Sequence, residues 1–241
     1  MALRLTLLGT GDAVGTPKIG CSCPRCTYAR EQGISRTRTS LLIESEGHYL
    51  MIDTSPDARY QLLRSGSPLI DAVIWTHGHY DHYTGYGEFY RVQNPPPAYA
   101  APTVLTYCSQ FFTFLPFDKH PIPPYIPFDL FGLKITLCTV NHPSVPTYGL
   151  RIESKEGVIA YTSDTQADIP HESRSLFQNA DLLLIDAIVP PDMHLNKHMN
   201  YEEACRLARD LGARSFRCVH LSHLMDWNLP HLGRDMEHWE W

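Results

Sequence analysis

A chain of 241 residues, 43% of them apolar, is long enough to bury a full hydrophobic core, and its length fits one domain over 1–241. The formal charge of -6, from 20 Lys+Arg against 26 Asp+Glu, argues against the broad basic face that grips long nucleic acids. No run of 18 uncharged apolar residues occurs and the opening MALRLTLLGTGDAVG carries no leader pattern, so the expectation is a cytoplasmic protein without a membrane span.

Along the chain, strand-type runs are expected at Arg4 to Leu8, Ser40 to Ile43, Tyr49 to Ile52 and Ala72 to Trp75. Helical spacing fits Asp57 to Ser65 and His82 to Val92. The stretch Asn94 to Pro102, NPPPAYAAP, reads as a surface loop, because its prolines oppose both a regular helix and a central strand. Phe111-Phe112-Thr113-Phe114 reads as core packing in preference to a base-stacking platform. The second half offers strands at Lys134 to Val140, Tyr148 to Ile152, Val158 to Tyr161, Leu182 to Ile185 and Phe216 to Val219, with helices at His171 to Gln178 and Tyr201 to Leu211. Strands followed by helices in each half predict an α/β architecture of two sheets with helices on their outer faces.

The 13 histidines are the oddity of the composition, since imidazole is the commonest neutral metal ligand near neutral pH. Thr76-His77-Gly78-His79-Tyr80-Asp81-His82 sets four candidate ligands in six residues directly after an apolar strand. His77 and His79 are two apart, so an extended segment turns both rings the same way. Asp81 taken alone serves equally well as a helix N-cap. Further on, His142, Asp164 and His220 each follow an apolar strand, an economical way to project ligands into one crevice from a rigid base. Two ions roughly 3.5 to 4 Å apart would acidify a shared water toward a pKa of ~7 and screen charge on a phosphoryl group, so no protein nucleophile is needed. Of the seven cysteines, three crowd into Cys21-Ser22-Cys23-Pro24-Arg25-Cys26, while Cys108, Cys138, Cys205 and Cys218 lie apart. Three soft ligands need one more for a tetrahedral structural zinc.

The spacing His77-x-His79-x-Asp81-His82, with His142, Asp164 and His220 in order downstream, resembles the H-x-H-x-D-H signature of the metallo-β-lactamase superfamily over nearly the whole chain. That resemblance implies a four-layer αββα sandwich. It also implies one ion on His77, His79 and His142, a second on Asp81, His82 and His220, and Asp164 bridging them, so that Asp81 and Asp164 count as catalytic. Asp53, at the end of Leu50-Met51-Ile52-Asp53, resembles the superfamily's aspartate that orients a ligand histidine or its loop, with turn capping as the equal alternative. The cysteine cluster follows the turn Leu7-Leu8-Gly9-Thr10-Gly11, and His223 stands three residues past His220. Together these resemble the PhnP group, phosphodiesterases acting on five-membered cyclic phosphates of ribose in the carbon-phosphorus lyase pathway. In that likeness His223 completes a zinc site with Cys21, Cys23 and Cys26. His198, in Asn196-Lys197-His198-Met199-Asn200, reaches the substrate as proton donor or phosphate contact.

The expected activity is hydrolysis of a small cyclic phosphate, such as phosphoribosyl 1,2-cyclic phosphate or a 2′,3′-cyclic nucleotide. Its cofactors are two divalent ions, Zn or Mn, at the catalytic centre and one structural Zn. The expected partner is that small phosphate, with no long nucleic acid and no membrane, and a homodimer is left open. A tRNA 3′-processing endonuclease is the alternative, opposed by the lack of a long basic, glycine-rich arm in the sequence. Thioester or lactam hydrolysis is a further option. So is a noncatalytic, metal-stabilised nucleotide-binding protein, opposed by the filling of all seven ligand positions.

Overall fold

The computed structural model describes residues 3–241, so Met1 and Ala2, where the expected leaderless N-terminus begins, lie outside them. In chain order the elements are β1 (Arg4–Gly9), α1 (Pro24–Gln32), β2 (Ser40–Ser45), β3 (His48–Ile52), α2 (Ala58–Arg64), β4 (Ala72–Ile74) and α3 (Tyr80–Tyr83). A 3-10 segment (Thr84–Phe89), β5 (Ala98–Ala100), α4 (Pro102–Ser109), a second 3-10 turn (Gln110–Phe112), β6 (Lys119–Pro121) and β7 (Phe128–Leu130) follow. The remainder is β8 (Leu133–Val140), β9 (Thr147–Glu153), β10 (Val158–Tyr161), α5 (His171–Phe177), β11 (Leu182–Asp186), α6 (Tyr201–Asp210), β12 (Phe216–Val219) and β13 (His238–Glu240).

Two mixed sheets result, ordered β13-β1-β2-β3-β4-β5-β6 and β12-β11-β10-β9-β8-β7. Side-chain alternation explains why they stack. In β8, Leu133, Ile135 and Leu137 enter the core shared with the first sheet, whereas Cys138 and Val140 turn to the outer face. In β11, Leu182 and Leu184 point inward while Leu183 and Ile185 pack outward with Phe177 of α5 and Leu207 of α6. A strand buried on both faces reads as a continuous apolar run, which is what Leu182-Leu183-Leu184-Ile185 is. Helices α2 and α4 cover the first sheet and α5 and α6 the second, giving the expected αββα sandwich. Helix α6 opens with a reciprocal cap: the Glu203 N–H donates to the Asn200 side chain at 2.9 Å, and the Asn200 N–H donates to the Glu203 carboxylate at 2.9 Å. Such a cap contributes about 1 kcal/mol.

Three expectations require correction. The Asn94 to Pro102 stretch is not merely a surface loop, because Ala98–Ala100 forms a strand between β4 and β6, with Ala98 and Ala100 fully buried. Its prolines precede or follow the strand, so no ladder N–H is missing, and Pro102 then starts α4, where a proline costs nothing. The helix foreseen over His82 to Val92 is a single α turn followed by a 3-10 segment. Gly85 presses against the Ser55 carbonyl so closely that a Cβ would sit 1.8 Å from it, and the Gly85 N–H donates to the Thr54 carbonyl rather than along the helix. The aromatic run divides: Phe112 is buried, stacked near Trp75 at 6.1 Å, but Phe111 and Phe114 are exposed. No helix among the described residues is long and apolar enough to cross a membrane.

Candidate metal centre

Every candidate ligand of the crevice sits just past a strand. His77 and His79 follow β4, and Asp81 and His82 ride the first turn of α3, where the His82 N–H donates to the His79 carbonyl at 3.0 Å. His142 follows β8, Asp164 follows β10 and His220 follows β12. Asp53, Ser163 and His220 all take positive φ, at 58°, 54° and 59°, a conformation non-glycine residues adopt only when surroundings enforce it. Each turns the chain sharply as its strand ends.

The seven side chains meet. One ring nitrogen of His79 is 3.1 Å from His77 Nε2 and 3.1 Å from His142 Nε2. Oδ2 of Asp164 lies 3.6 Å from His77 Nε2, 3.5 Å from His82 Nε2 and 3.3 Å from His220 Nε2, so a single carboxylate faces both halves of the cluster. Oδ2 of Asp81 is 3.4 Å from His82 Nε2 and 3.5 Å from His220 Nε2. Ligands about 2.0–2.2 Å from one tetrahedral centre stand roughly 3.3–3.6 Å apart, so most of these separations are those of donors around shared ions. His82 Nε2, His220 Nε2 and Asp164 Oδ1 are buried without hydrogen-bond partners, which in a native interior calls for an ion or water. The residues present therefore fit divalent cations.

Charge balance fits as well. Burial raises the Asp81 and Asp164 carboxyls, but facing His82 and His220 outweigh it and hold both far below the ordinary value. Against burial, Asp164 above all holds His82 and His220 well above the usual imidazole value. Burial lowers His77, His79 and His142, keeping them neutral and ready to coordinate.

An outer ring fixes the imidazoles. Asp53, fully buried, accepts from the Thr76 N–H and hydroxyl at 2.8 Å each and faces His82 Nδ1 at 2.7 Å, so the orienting and the turn-holding roles are filled by one carboxylate. The Lys197 carbonyl takes His142 Nδ1 at 2.9 Å. Sequence reading missed Asp186: its Oδ2 lies 2.8 Å from His198 Nδ1 and accepts from the Thr165 N–H at 2.9 Å, and its Oδ1 is 3.7 Å from His220 Nδ1. The signal was there, since Leu182-Leu183-Leu184-Ile185-Asp186 ends in aspartate just as β3 leads to Asp53. His198 thereby reaches the crevice, a ring nitrogen within 4.8 Å of Asp164 and His220 ligand atoms, its ring stacked on His220 at 5.0 Å.

The second cluster is separate. Cys21, Cys23 and Cys26 place Sγ 3.7, 3.6 and 3.7 Å from His223 Nδ1. A sulfur at about 2.3 Å and a nitrogen at about 2.0–2.1 Å from a tetrahedral zinc would be roughly 3.6 Å apart. Hydrogen bonding from the Cys26 backbone and from His223 pulls the Cys23 thiol down to about 6, while burial pushes Cys26 up to about 11. Backbone bonds hold the chain between the two centres: Leu221 N–H donates to Thr10 at 2.8 Å and Ser222 N–H to Ile188 at 2.9 Å. Buried Arg36 donates to the Ser222 and Met225 carbonyls at 3.3 and 3.1 Å and lies over Trp227. The four scattered cysteines are buried and free.

Residues 48–221 match the family described as the beta-lactamase superfamily domain, well over half of the chain, and the chain belongs to that superfamily. Its two-sheet architecture is that of the metallo-β-lactamase fold. A protein described as a new diphosphatase from the PhnP family is similar at TM-score 0.88 and 29% identity, covering 100% of this chain and 98% of that one. Zn(2+)-bound PqqB from Methylobacterium extorquens shares the fold at TM-score 0.83 and 21% identity, over 98% and 99% of the two chains. An octanoyltransferase of Porphyromonas gingivalis is 30% identical over 95% of this chain and 48% of its own length, so the chain spans about half of that relative.

Proposed function

We propose that this enzyme hydrolyses small phosphodiesters, cyclic ribose phosphates and 2′,3′-cyclic nucleotides foremost, using two divalent ions. One observation carries the reading: Asp164 Oδ2 lies within 3.6 Å of ligand nitrogens from both histidine groups, as a carboxylate shared between two cations would. His77, His79 and His142 would hold one ion, Asp81, His82 and His220 the other, with Zn or Mn suited to the donors. Bound there, the pair supplies Lewis acidity toward a phosphoryl oxygen and a water acidified toward a pKa of ~7. The chain does the rest. Asp53 and the Lys197 carbonyl fix His82 and His142, and Asp186 holds His198 beside the cluster. As the bond from phosphorus to the departing ribose oxygen breaks, His198 gives that oxygen its proton. Cys21, Cys23, Cys26 and His223 would hold a structural zinc.

The similar PhnP-family diphosphatase supports chemistry at phosphorus, and it puts a diphosphate next in any substrate panel. Octanoyl transfer stays with the longer relative, of which the matched region is under half. The test is metal analysis of the purified protein, then bis(p-nitrophenyl) phosphate, ribose 1,2-cyclic phosphate, 2′,3′-cyclic nucleotides, a diphosphate and precursor tRNA with Zn or Mn added. Turnover of the small diesters, abolished by Asp164→Ala, is expected. Inertness toward every phosphate with both ions verified, or preferential cutting of precursor tRNA, overturns the proposal.

A further inference from the structure

Beside His79 opens a cavity of about 290 Å³, walled by Gly78, Thr103, Val104, Tyr107, Val145 and Pro146. Ligand pockets run from about 300 to 1,000 Å³, so this one has room for a single ring system. Tyr107 is its distinctive wall. The side chain is 57% exposed, yet it is held: a Cβ on Gly78 would come within 2.6 Å of its ring, so the ring rests directly on the backbone of the His77-Gly78-His79 turn. Tyr83 packs beside it at a ring separation of 6.2 Å, the two ring planes 75° apart. An aromatic surface kept both rigid and in water has given up burial that it would otherwise gain, and what it offers is a flat face for another ring. Thr103 and Ser144, both exposed at the rim, bring hydroxyls that can meet ring nitrogens and exocyclic groups. A phenyl group or an acyl tail would have no use for them.

We infer that this pocket receives the base of a nucleotide substrate, stacked on Tyr107, so that the enzyme prefers base-bearing phosphates to base-free ribose phosphates. The inference rests on the phosphodiesterase reading. It follows from position: His79 lines the pocket and also belongs to the ligand cluster, so a molecule with its phosphate at the cluster has its remaining bulk next to Tyr107. Tyr107 is then a specificity-determining residue.

The experiment compares a 2′,3′-cyclic nucleotide with ribose 1,2-cyclic phosphate on wild type, Tyr107→Ala and Tyr107→Phe. Stacking on an aromatic side chain sets the expected scale at about tenfold. Tyr107→Ala should lower kcat/KM for the nucleotide by about that factor more than for the base-free substrate, through KM, and Tyr107→Phe should keep the wild-type preference. Equal losses on both substrates, or no loss on the nucleotide, overturn it. Thr103→Trp fills the pocket from an exposed position, and it should reproduce the selective loss if Tyr107→Ala does not fold. Calorimetry with AMP and ribose 5-phosphate provides a readout independent of turnover. Binding of AMP about tenfold tighter than ribose 5-phosphate, lost in Tyr107→Ala, sustains the pocket even if no diester is hydrolysed. Equal binding of the two ligands removes it even if diesters turn over.

Discussion

Replacing Asp53 by asparagine alters the character of one buried atom and almost no volume. In the wild type Oδ1 accepts the Thr76 N–H at 2.8 Å, while Oδ2 accepts the Thr76 hydroxyl at 2.8 Å and faces His82 Nδ1 at 2.7 Å. The amide carbonyl can keep the first bond. Its NH2 then faces a hydroxyl proton and His82 Nδ1, and only an unprotonated Nδ1 can accept from it. That tautomer puts the ring proton on Nε2, the atom that lies 3.4 Å from Asp81 and 3.5 Å from Asp164 at the ion position. Loss of an orienting partner of this kind lowers metal affinity about 10- to 100-fold. The Thr76 hydroxyl loses its carboxylate acceptor and keeps only the Ser163 hydroxyl at 2.9 Å and the His77 ring at 3.0 Å as partners, at a cost of about 1 kcal/mol of stability. Chelator competition measures the first and denaturant melts of metal-free protein the second. The deficit should fall on the ion at Asp81, His82 and His220, with the cysteine cluster unaffected. Unchanged affinity at that position, or an equal loss at the cysteine cluster, refutes the tautomer argument.

Burial draws the His198 pKa down, but Asp186 outweighs it and raises the group above the usual imidazole value, which favours the protonated form a donor needs. As the proton donor it should make turnover decline on the alkaline side, where it loses its proton, and Asp186→Asn should move that limb to lower pH. A pH-rate profile whose alkaline limb stays in place removes the donor role, and His198→Ala should lower kcat by about 10²–10⁴. Cys26→Ala should reduce bound zinc by one per chain and destabilise the protein by about 2 kcal/mol or more, read by metal analysis and melting. Phe112→Ala, which empties a core position stacked near Trp75 at 6.1 Å, should cost about 3–5 kcal/mol in urea unfolding, and a loss under 1 kcal/mol would mean the site collapses around the gap.

The crevice residues could be read from sequence because their spacing is local: His77, His79, Asp81 and His82 fall within six residues, and the others each terminate a recognisable apolar run. The long strands β8, β9 and β11 were legible for the same reason, since their apolar patterns exceed what a loop carries. What escaped was decided by neighbours. β5 is three residues long and is a strand only because β4 and β6 flank it. The 3-10 segment after α3 depends on Gly85 meeting Ser55, thirty residues away in the chain. Asp186 gave a signal only by analogy with Asp53, because its partner His198 lies in an irregular loop with no periodicity to register. Helix α1 stayed hidden because its sequence, PRCTYAREQ, lacks an apolar stripe, with Cys26 and Ala29 alone buried.

His220 and His223 are separated by two residues whose amides are both committed, Leu221 to Thr10 and Ser222 to Ile188. The segment works as a yoke with no play in it. One residue added there would carry one histidine away from its partners, so its length is closed to change in a way the proline-rich approach to β5 is not. Were a cation held by the cysteines and His223, its removal would slacken the harness that aims His220, and damage begun at the cysteines would be felt in the crevice.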